Sequence, residues 1–468
     1  MRGVMLLVGV VWVGLMVYGL VKPLPVGLSV AGRQVAASEA GVEFLYDLTC
    51  RRSGELVTEQ RIFARLERII AEAERFLLLD FFLFNGLRNP EQSFPPLASA
   101  LTEALLRKKE GQPQVDIVLI TDEINSHYGV EEPEHFQRLR QAGVRIISTD
   151  TSRLRDSNFF YSPGWRLFGQ WFSSAGPGWL PNPFAASGPK MTLAAYLRLL
   201  NFKANHRKVA VSEKEALLSS ANPHDASALH ANIALVVRGE VLREVLAAER
   251  AVAEFSGHTL PEWQADTAGD GGPLSLQLLT EGKIKERILE GLGRCGEGCT
   301  VRMAMFYLSE REIIGALLDA AERGAEVRLI LDANQEAFGR RKGGIPNRPV
   351  AQELLSRSRG KIGVRWYRSS GEQFHSKLTM LTFPKQSLLL GGSANLTRRN
   401  IGDLNLEACL AVQAPNEAGI VREVAAYFER LWENEDGLYT HDGEQLGTPP
   451  RWQYILYRFQ EWSGMSTF

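Results

Sequence analysis

Cysteine is scarce in this chain of 468 residues: there are four, and only Cys295 and Cys299 lie close together. No further Cys or His stands beside that pair in a zinc-ligand spacing, so no structural metal site is expected. Free core thiols are expected, with a local Cys295–Cys299 disulfide as the alternative. Net charge is lacking as well. With 53 Lys and Arg against 54 Asp and Glu, the chain has no overall basic footprint of the kind that neutralises nucleic-acid phosphates, although a local basic site stays open. A composition 45% hydrophobic and 23% charged excludes disorder as the default and supplies enough length for two or three domains with sizeable cores.

Long uncharged apolar runs are absent but for one. Gly3 to Val21 is 19 residues bracketed by Arg2 and Lys22, and it holds Trp12 and Tyr18. At about 1.5 Å of rise per residue such a run just spans a hydrocarbon core. A cleaved signal peptide is the competing reading, since Ala36 and Ala37 follow, but the run is longer than the usual signal core. The expectation is an uncleaved single-pass N-terminal anchor in a membrane. Arg2 against Lys22 and Arg33 leaves the side of the membrane open.

Beyond this run the chain says the same thing twice. The first copy reads "RIFARLERIIAEAERFLLLDFFLFN", then "LTEALLRKKEGQPQVDIVLITDE", then "AGVRIISTD". The second reads "KIKERILEGLGRCGEGCTVRMAMFYLS", then "IIGALLDAAERGAEVRLILDANQE", then "KIGVRWYRSS". Each is helix, strand, helix, strand, and the near-continuous apolar strands point to parallel pairing in an α/β sandwich. A spacing this long is not a solenoid repeat. It predicts two homologous domains, with a boundary in the Gly-, Pro- and Asp-rich stretch 257–275.

Each copy ends in the same polar marks. "NHRKVAV" (205–211) places His206 and Lys208 two apart in an otherwise apolar strand, and "FHSKLTM" (374–380) does the same with His375 and Lys377. Each is followed by a strand ending in small polar residues: "LLSSANPHD", with Ser220 and Asn222, and "LLLGGSANLTRRN", with Ser393 and Asn395. Backbone N–H groups and short donors at such a strand end can face an anion. One pair alone would read as a satisfied structural histidine and a turn. Both pairs, in the same order in both halves, point to a site.

This pattern resembles the phospholipase D superfamily, whose repeated motif runs His, any, Lys, four residues, Asp, a spacer, then Gly-Ser-any-Asn. The resemblance covers residues 41 to 435 and is most detailed for bacterial cardiolipin synthase-like members. Glu213 and Thr382 stand where the family has Asp, and Ser219 where it has Gly. A carboxylate on the following strand is supplied by Glu407 in "NLEACLAV", whereas the aligned "HANIALVV" supplies Asn232. The fold class implied is α/β: two homologous phospholipase D-like α/β sandwich domains around a pseudo-twofold shared active site, preceded by one N-terminal membrane segment.

What the resemblance implies is phosphodiester chemistry on a phospholipid. One imidazole attacks phosphorus to give a phosphohistidine, and the other protonates the leaving alkoxide and then deprotonates the incoming water or alcohol. Lys208 and Lys377 sit on the phosphoryl oxygens, and Ser220, Asn222, Ser393, Asn395 and Glu407 support them. Which histidine attacks stays open, as does pairing across the halves. No cofactor and no metal is expected, because an ammonium beside each imidazole has no lone pair to give and repels a cation. The implied protein is a phosphatidyl transferase or phosphodiesterase anchored in the bacterial inner membrane; the alternative is an endonuclease or phosphodiesterase of the same superfamily acting on nucleic acid. Nucleic acid is disfavoured as a partner, and oligomeric state is undetermined.

The domain plan is 1–40 for anchor and linker, 41–256 for the first domain, 257–275 for the linker, 276–440 for the second domain and 441–468 for an amphipathic tail. Within the first domain, 156–190 is an insertion without counterpart in the second, holding Phe159, Phe160, Tyr161, Trp165, Phe168, Trp171, Phe172, Trp179 and Phe184. It reads either as a lid packed on its own domain or as a face at headgroup depth; a stacking platform for single strands would want more interleaved Lys and Arg. In the tail, Trp452, Ile455, Leu456 and Phe459 fall at helical spacing, a stripe for docking on the second domain or for membrane contact.

Overall fold

The computed structural model describes residues 2–88, 93–267, 271–337, 340–341, 343–466 and 468. The first half contributes strands β1 (Val42–Arg52), β2 (Phe76–Phe81), β3 (Asp116–Thr121), β4 (Arg145–Ser148), β5 (Lys208–Ser212), β6 (Ala216–Ser219) and β7 (Asn232–Val237). The second contributes β8 (Leu274–Thr280), β9 (Thr300–Met305), β10 (Glu326–Leu331), β11 (Ile362–Tyr367), β12 (Lys377–Thr382), β13 (Gln386–Gly392) and β14 (Ala408–Pro415). They form two sheets. One is eight-stranded, in the order Glu55–Glu59, β1, β7, β6, β5, β2, β3, β4; the other is nine-stranded, in the order Val35–Ala37, β8, β14, β13, β12, β9, β10, β11, Thr440–His441. Leaving the edge strands aside, the two orders correspond strand for strand.

The sheets are mixed rather than parallel. Only β2, β3 and β4, and likewise β9, β10 and β11, run parallel, each reached through a helical crossover. The histidine-lysine strands β5 and β12 are antiparallel to both neighbours. A connection of three residues between β5 and β6 permits only a hairpin. Two-sided burial, which made these strands read as continuous apolar runs, comes here from packing and not from parallel pairing.

The helices that matter for the site are α1 (Arg2–Val21), α2 (Ile62–Glu72), α3 (Val241–Phe255), α4 (Gly282–Arg294), α5 (Gly419–Glu433) and α6 (Arg451–Ser463). In α2 the apolar stripe Ile62, Leu66, Ile69 and Ile70 is buried, and its first turn is capped from afar, Asp47 Oδ1 accepting the N–H of Arg61 at 2.7 Å and of Ile62 at 3.0 Å. One core joins the halves. It gathers Ile233 and Leu235 of β7, Leu378 and Met380 of β12, Leu410 and Val412 of β14, and the inner faces of α3 and α5, each fully buried aliphatic stabilising by roughly 1.5–3 kcal/mol. Packing is crosswise: α3 lies on β8, and α5 on β1. Gly391 makes the close approach possible, since a Cβ there would sit 3.1 Å from Leu235 Cδ1 and 3.2 Å from Ile233 Cδ1.

The N-terminal anchor is corrected. Among the described residues no helix is long and apolar enough to cross a membrane, which removes the expected single-pass segment and the inner-membrane location built on it. α1 instead docks its C-terminal turns on the first half. Trp12 packs against Gly164, the Asp156 N–H donates to Gly19 O at 2.9 Å, and Lys22 just beyond donates to Ser152 O at 2.9 Å. Val35–Ala37, expected in a linker, is an edge strand paired with β8. All four cysteines are buried free thiols, without the alternative disulfide. Residues 268–270 of the expected linker lie outside the described residues.

Behind the histidine-lysine strand of the first half lies a buried charge cluster. Arg207, fully buried, donates to Glu281 Oε1 at 2.7 Å, to Glu249 Oε1 at 3.3 Å and to Ala248 O at 3.1 Å. Glu281 belongs to the second half and also accepts the N–H of Glu407 at 3.1 Å and of Ser29 at 2.7 Å. Burial and the carboxylate of Glu249 push Asp80, in the same cluster, well above the usual carboxylate range. Arg207→Met should therefore cost on the order of 3–5 kcal/mol, the scale for stranding a buried carboxylate; urea denaturation checks it, and a loss below 1 kcal/mol would show that the cluster does not clasp the halves.

Candidate active site

Alternation along a strand puts His206 and Lys208 on one face and Arg207 on the other, and does the same for His375, Lys377 and Ser376. Two short parallel bridges then set these faces together: Asn205 with Leu406, and Ala231 with Phe374. Backbone bonds hold both, His206 N–H to Leu406 O at 2.9 Å and Ala231 N–H to Gln373 O at 3.0 Å. The next residue on each strand is thereby aligned across the halves. His206 Nδ1 meets Glu407 Oε1 at 2.7 Å, and His375 Nδ1 meets Asn232 Oδ1 at 3.1 Å. The pairing left open by the sequence is crossed, in both directions.

The partners decide the tautomers. Glu407 accepts, so Nδ1 of His206 carries its proton and Nε2 is left for chemistry. Asn232 presents its amide nitrogen to His230 O at 3.3 Å, which turns Oδ1 toward His375 and leaves Nε2 of that ring free in the same way. Ser393 Oγ and Asn400 Nδ2 donate to the Glu407 carboxylate, while Ser220 Oγ donates to Asn232 Oδ1 at 3.0 Å. The two motif serines thus hold the histidine partners and do not themselves face a ligand.

Each lysine folds back to the carbonyl of its own histidine, Lys208 Nζ to His206 O at 2.5 Å and Lys377 Nζ to His375 O at 2.8 Å. Each also lies over a ring, Phe82 at 5.1 Å and Phe306 at 5.0 Å. Burial lowers all four basic groups: His206 to about 4, Lys208 to about 7, and His375 and Lys377 well below their usual values. The causes differ beyond burial. Glu407 opposes the fall at His206, whereas Lys377, His230, Lys208 and His206 all deepen it at His375. Burial raises Glu407, but the charge and hydrogen bond of His206 and the charge of Lys208 outweigh it and keep the carboxyl below its usual range.

His206, His375, Asn222 and Asn395 line one cavity of about 140 Å³. Asn222 Oδ1 accepts from Leu83 N–H at 3.2 Å, and Asn395 Oδ1 has no protein partner among the described residues. The cavity wall is mixed: Phe82, Leu83, Leu87, Phe94, Phe184 and Phe306 form an apolar part beside the polar groups. Among the described residues no group of His, Cys, Asp or Glu is arranged to hold a metal ion.

Several contributors were missed by the sequence reading. Asp122 and Asp332 follow β3 and β10 and accept the N–H of the residue before each histidine, Asn205 and Phe374, both at 2.7 Å. Their signal was present, since both apolar strands end in Asp at the same place in the repeat. Arg399, His224 and His230 also line the cavity. Glu213, at the position of the motif Asp, lies elsewhere and accepts the Glu74 N–H at 2.8 Å, bracing the turn between α2 and β2. Thr382, its counterpart, accepts from the Ser387 hydroxyl at 3.3 Å.

The insertion is split. Phe159 is buried, whereas Phe168, Trp171, Phe172 and Trp179 are exposed, Trp171 at 76%. The tail helix α6 docks on the second half, but through its polar side: Glu461 accepts from Ser309 Oγ and from the Arg398 N–H, each at 2.7 Å, and Tyr457 is buried. The stripe Trp452, Ile455, Leu456 and Phe459 faces outward. Phe160 and Trp462, 5.3 Å apart, join insertion and tail.

Glu407→Gln keeps a hydrogen-bonding group beside His206 and removes only the charge that supports its proton. Turnover should fall at least ~100-fold, the usual scale for impaired general acid–base catalysis, with the melting temperature nearly unchanged. Steady-state kinetics beside a thermal melt checks this, and wild-type turnover would show that the carboxylate is structural.

Residues 292–432 match the family model described as the phospholipase D-like domain of cardiolipin synthase. No curated protein sequence matches the chain. Among solved structures, phosphatidylserine synthase of Haemophilus influenzae Rd KW20 is similar at 12% identity, with a TM-score of 0.56, over 93% of this chain and 96% of that one. Polyphosphate kinase of Porphyromonas gingivalis matches at 15% identity and a TM-score of 0.45 over 90% of this chain and 53% of that one. Nuc, a phospholipase D family member of Salmonella typhimurium, matches at 17% identity and a TM-score of 0.28 over 36% of this chain and 97% of that one. The segment that carries the second motif is thus similar to the phospholipase D-like domain of cardiolipin synthase, and the chain as a whole shares its fold with phosphatidylserine synthase.

Proposed function

We propose that the chain transfers or hydrolyses the phosphatidyl group of a phospholipid at a single site built by both halves about a pseudo-twofold axis. The observation that carries this reading is the reciprocal crossing of partners, His206 with Glu407 and His375 with Asn232, at one cavity. The apolar part of its wall suits the glycerol and acyl region beside a phosphodiester, and the exposed rings of the insertion and α6 suit contact with the surface of a bilayer that presents such a substrate. Nothing in the site favours the nucleic-acid alternative.

The unequal partners support a division of roles. His375 faces an amide and four basic neighbours, so it stays neutral and attacks phosphorus through Nε2; the P–N bond forms as the bond to the leaving alkoxide breaks. His206 has a carboxylate to balance an imidazolium, so it gives its Nε2 proton to that alkoxide and recovers one from the incoming water or alcohol, whose oxygen displaces His375. Lys208 and Lys377, with Asn222 and Asn395, hold the nonbridging oxygens. An entering phosphodiester anion favours the charged forms of both lysines and of His206.

Two experiments test this. Phosphatidylglycerol vesicles incubated with the purified chain should yield phosphatidic acid or cardiolipin; silence on both, together with cutting of DNA, would overturn the lipid reading. With a p-nitrophenyl phosphodiester, whose leaving group needs no acid, His206→Ala should release one equivalent of nitrophenol and stall as a phosphohistidine at residue 375, whereas His375→Ala should show no burst. The reverse pattern would exchange the two roles.

A further inference from the structure

A second cavity, of about 510 Å³, opens where the insertion meets the end of α1. Five cations line it: Lys22, Arg153, Arg166, Arg198 and Lys203. Three carboxylates answer them. Asp156 is divided between Arg166, at 2.5 Å, and Lys203, at 2.9 Å; Glu123 takes Arg198 at 2.6 Å; Asp150 takes Arg153 at 3.4 Å. Lys22 donates to a carbonyl, Ser152 O, which Lys203 also reaches at 3.4 Å. Burial and the charges of Lys203 and Arg166 lower Lys22 to about 7, against the opposing charges of Asp156 and Asp150. Tyr18 and Trp165 supply rings at the same cavity.

We propose that this cavity binds a phosphate ester, its anionic group between Lys22, Arg153 and Lys203 and its remainder against Tyr18 and Trp165. Five basic side chains against three carboxylates, on separate elements around a space large enough for a headgroup, are an arrangement completed by a multiply acceptor-bearing anion. The site is distinct from the catalytic cavity but shares a wall with it. Tyr128, lining this cavity, stacks on Phe184 of the other at 6.3 Å between centroids, and Lys203 lies three residues before His206. The proposal does not depend on how the catalytic histidines act. A lipid headgroup and a soluble phosphate share the required chemistry.

Calorimetric titration of the full chain carrying His375→Ala, with inorganic phosphate and separately with monomeric dihexanoyl phosphatidic acid, tests it. One equivalent of at least one probe should still bind. Adding Lys22→Gln and Arg153→Gln should weaken that binding at least ~10-fold, since two charge-assisted contacts are removed. Competition between the two probes would mean that phosphate alone suffices, and binding of the lipid only would identify a headgroup site; both support the proposal. Should Lys22→Gln fail to fold, Arg153→Gln alone, at a side chain 62% exposed, should still weaken binding about threefold, as expected for one solvated charge contact. Absence of binding by either probe, or unchanged affinity in the charge variants, would overturn it.

Discussion

Two imidazoles line one cavity and two lysine amines are buried against its rings Phe82 and Phe306, and this crowding of basic groups is the constraint on which the rest of the site depends. Burial alone depresses the basicity of all four, and each protonated member raises the cost of the next. A protein can tolerate such a cluster only by surrounding it with acceptors. Glu407 touches His206 directly, and Asp122 and Asp332 stand behind the lysines while accepting the backbone N–H groups that start the two motif strands. The residual imbalance is what a phosphodiester anion would relieve, so the same electrostatics that burden the free protein favour the proposed substrate.

The acceptors reach the histidines only because the halves are locked in register. Bridges at Asn205 with Leu406 and at Ala231 with Phe374 align one residue further along, where each histidine meets its partner. Neither half holds a complete pair by itself. The Arg207–Glu281 contact and the N–H of Glu407 bonded to that same Glu281 make the clasp between halves continuous with the His206–Glu407 pair. Stability and chemistry are thus drawn from one network.

The periphery follows a different logic. Helix α6 docks with its polar side inward because Glu461 satisfies the Ser309 hydroxyl and the backbone at Arg398, which leaves the apolar stripe on the outside. An apolar stripe at helical spacing usually points to the core; here buried polar partners outweighed it. At the other end, the apolar N-terminal run reads as a membrane span by composition, yet its last turns lie beside Asp156, Arg166 and the Lys22 cation, polar company that a lipid-facing helix would not keep.

The repeat, the helix and strand content and the two His-Lys pairs were legible in the sequence, because period and spacing are local properties of the chain. Strand direction was not: burial on both faces gives β5 and β12 the same continuous apolar look that parallel strands have. Asp122 and Asp332 left a trace, each ending an apolar strand at the same point of its copy, but their partners lie on other strands. The crossed pairing of His206 with Glu407 and of His375 with Asn232, the diversion of both serines to those partners and the displacement of Glu213 to a turn were decided by the tertiary structure alone. Each depends on distances between segments up to 201 residues apart, which no local pattern encodes and only the packing of one half against the other sets.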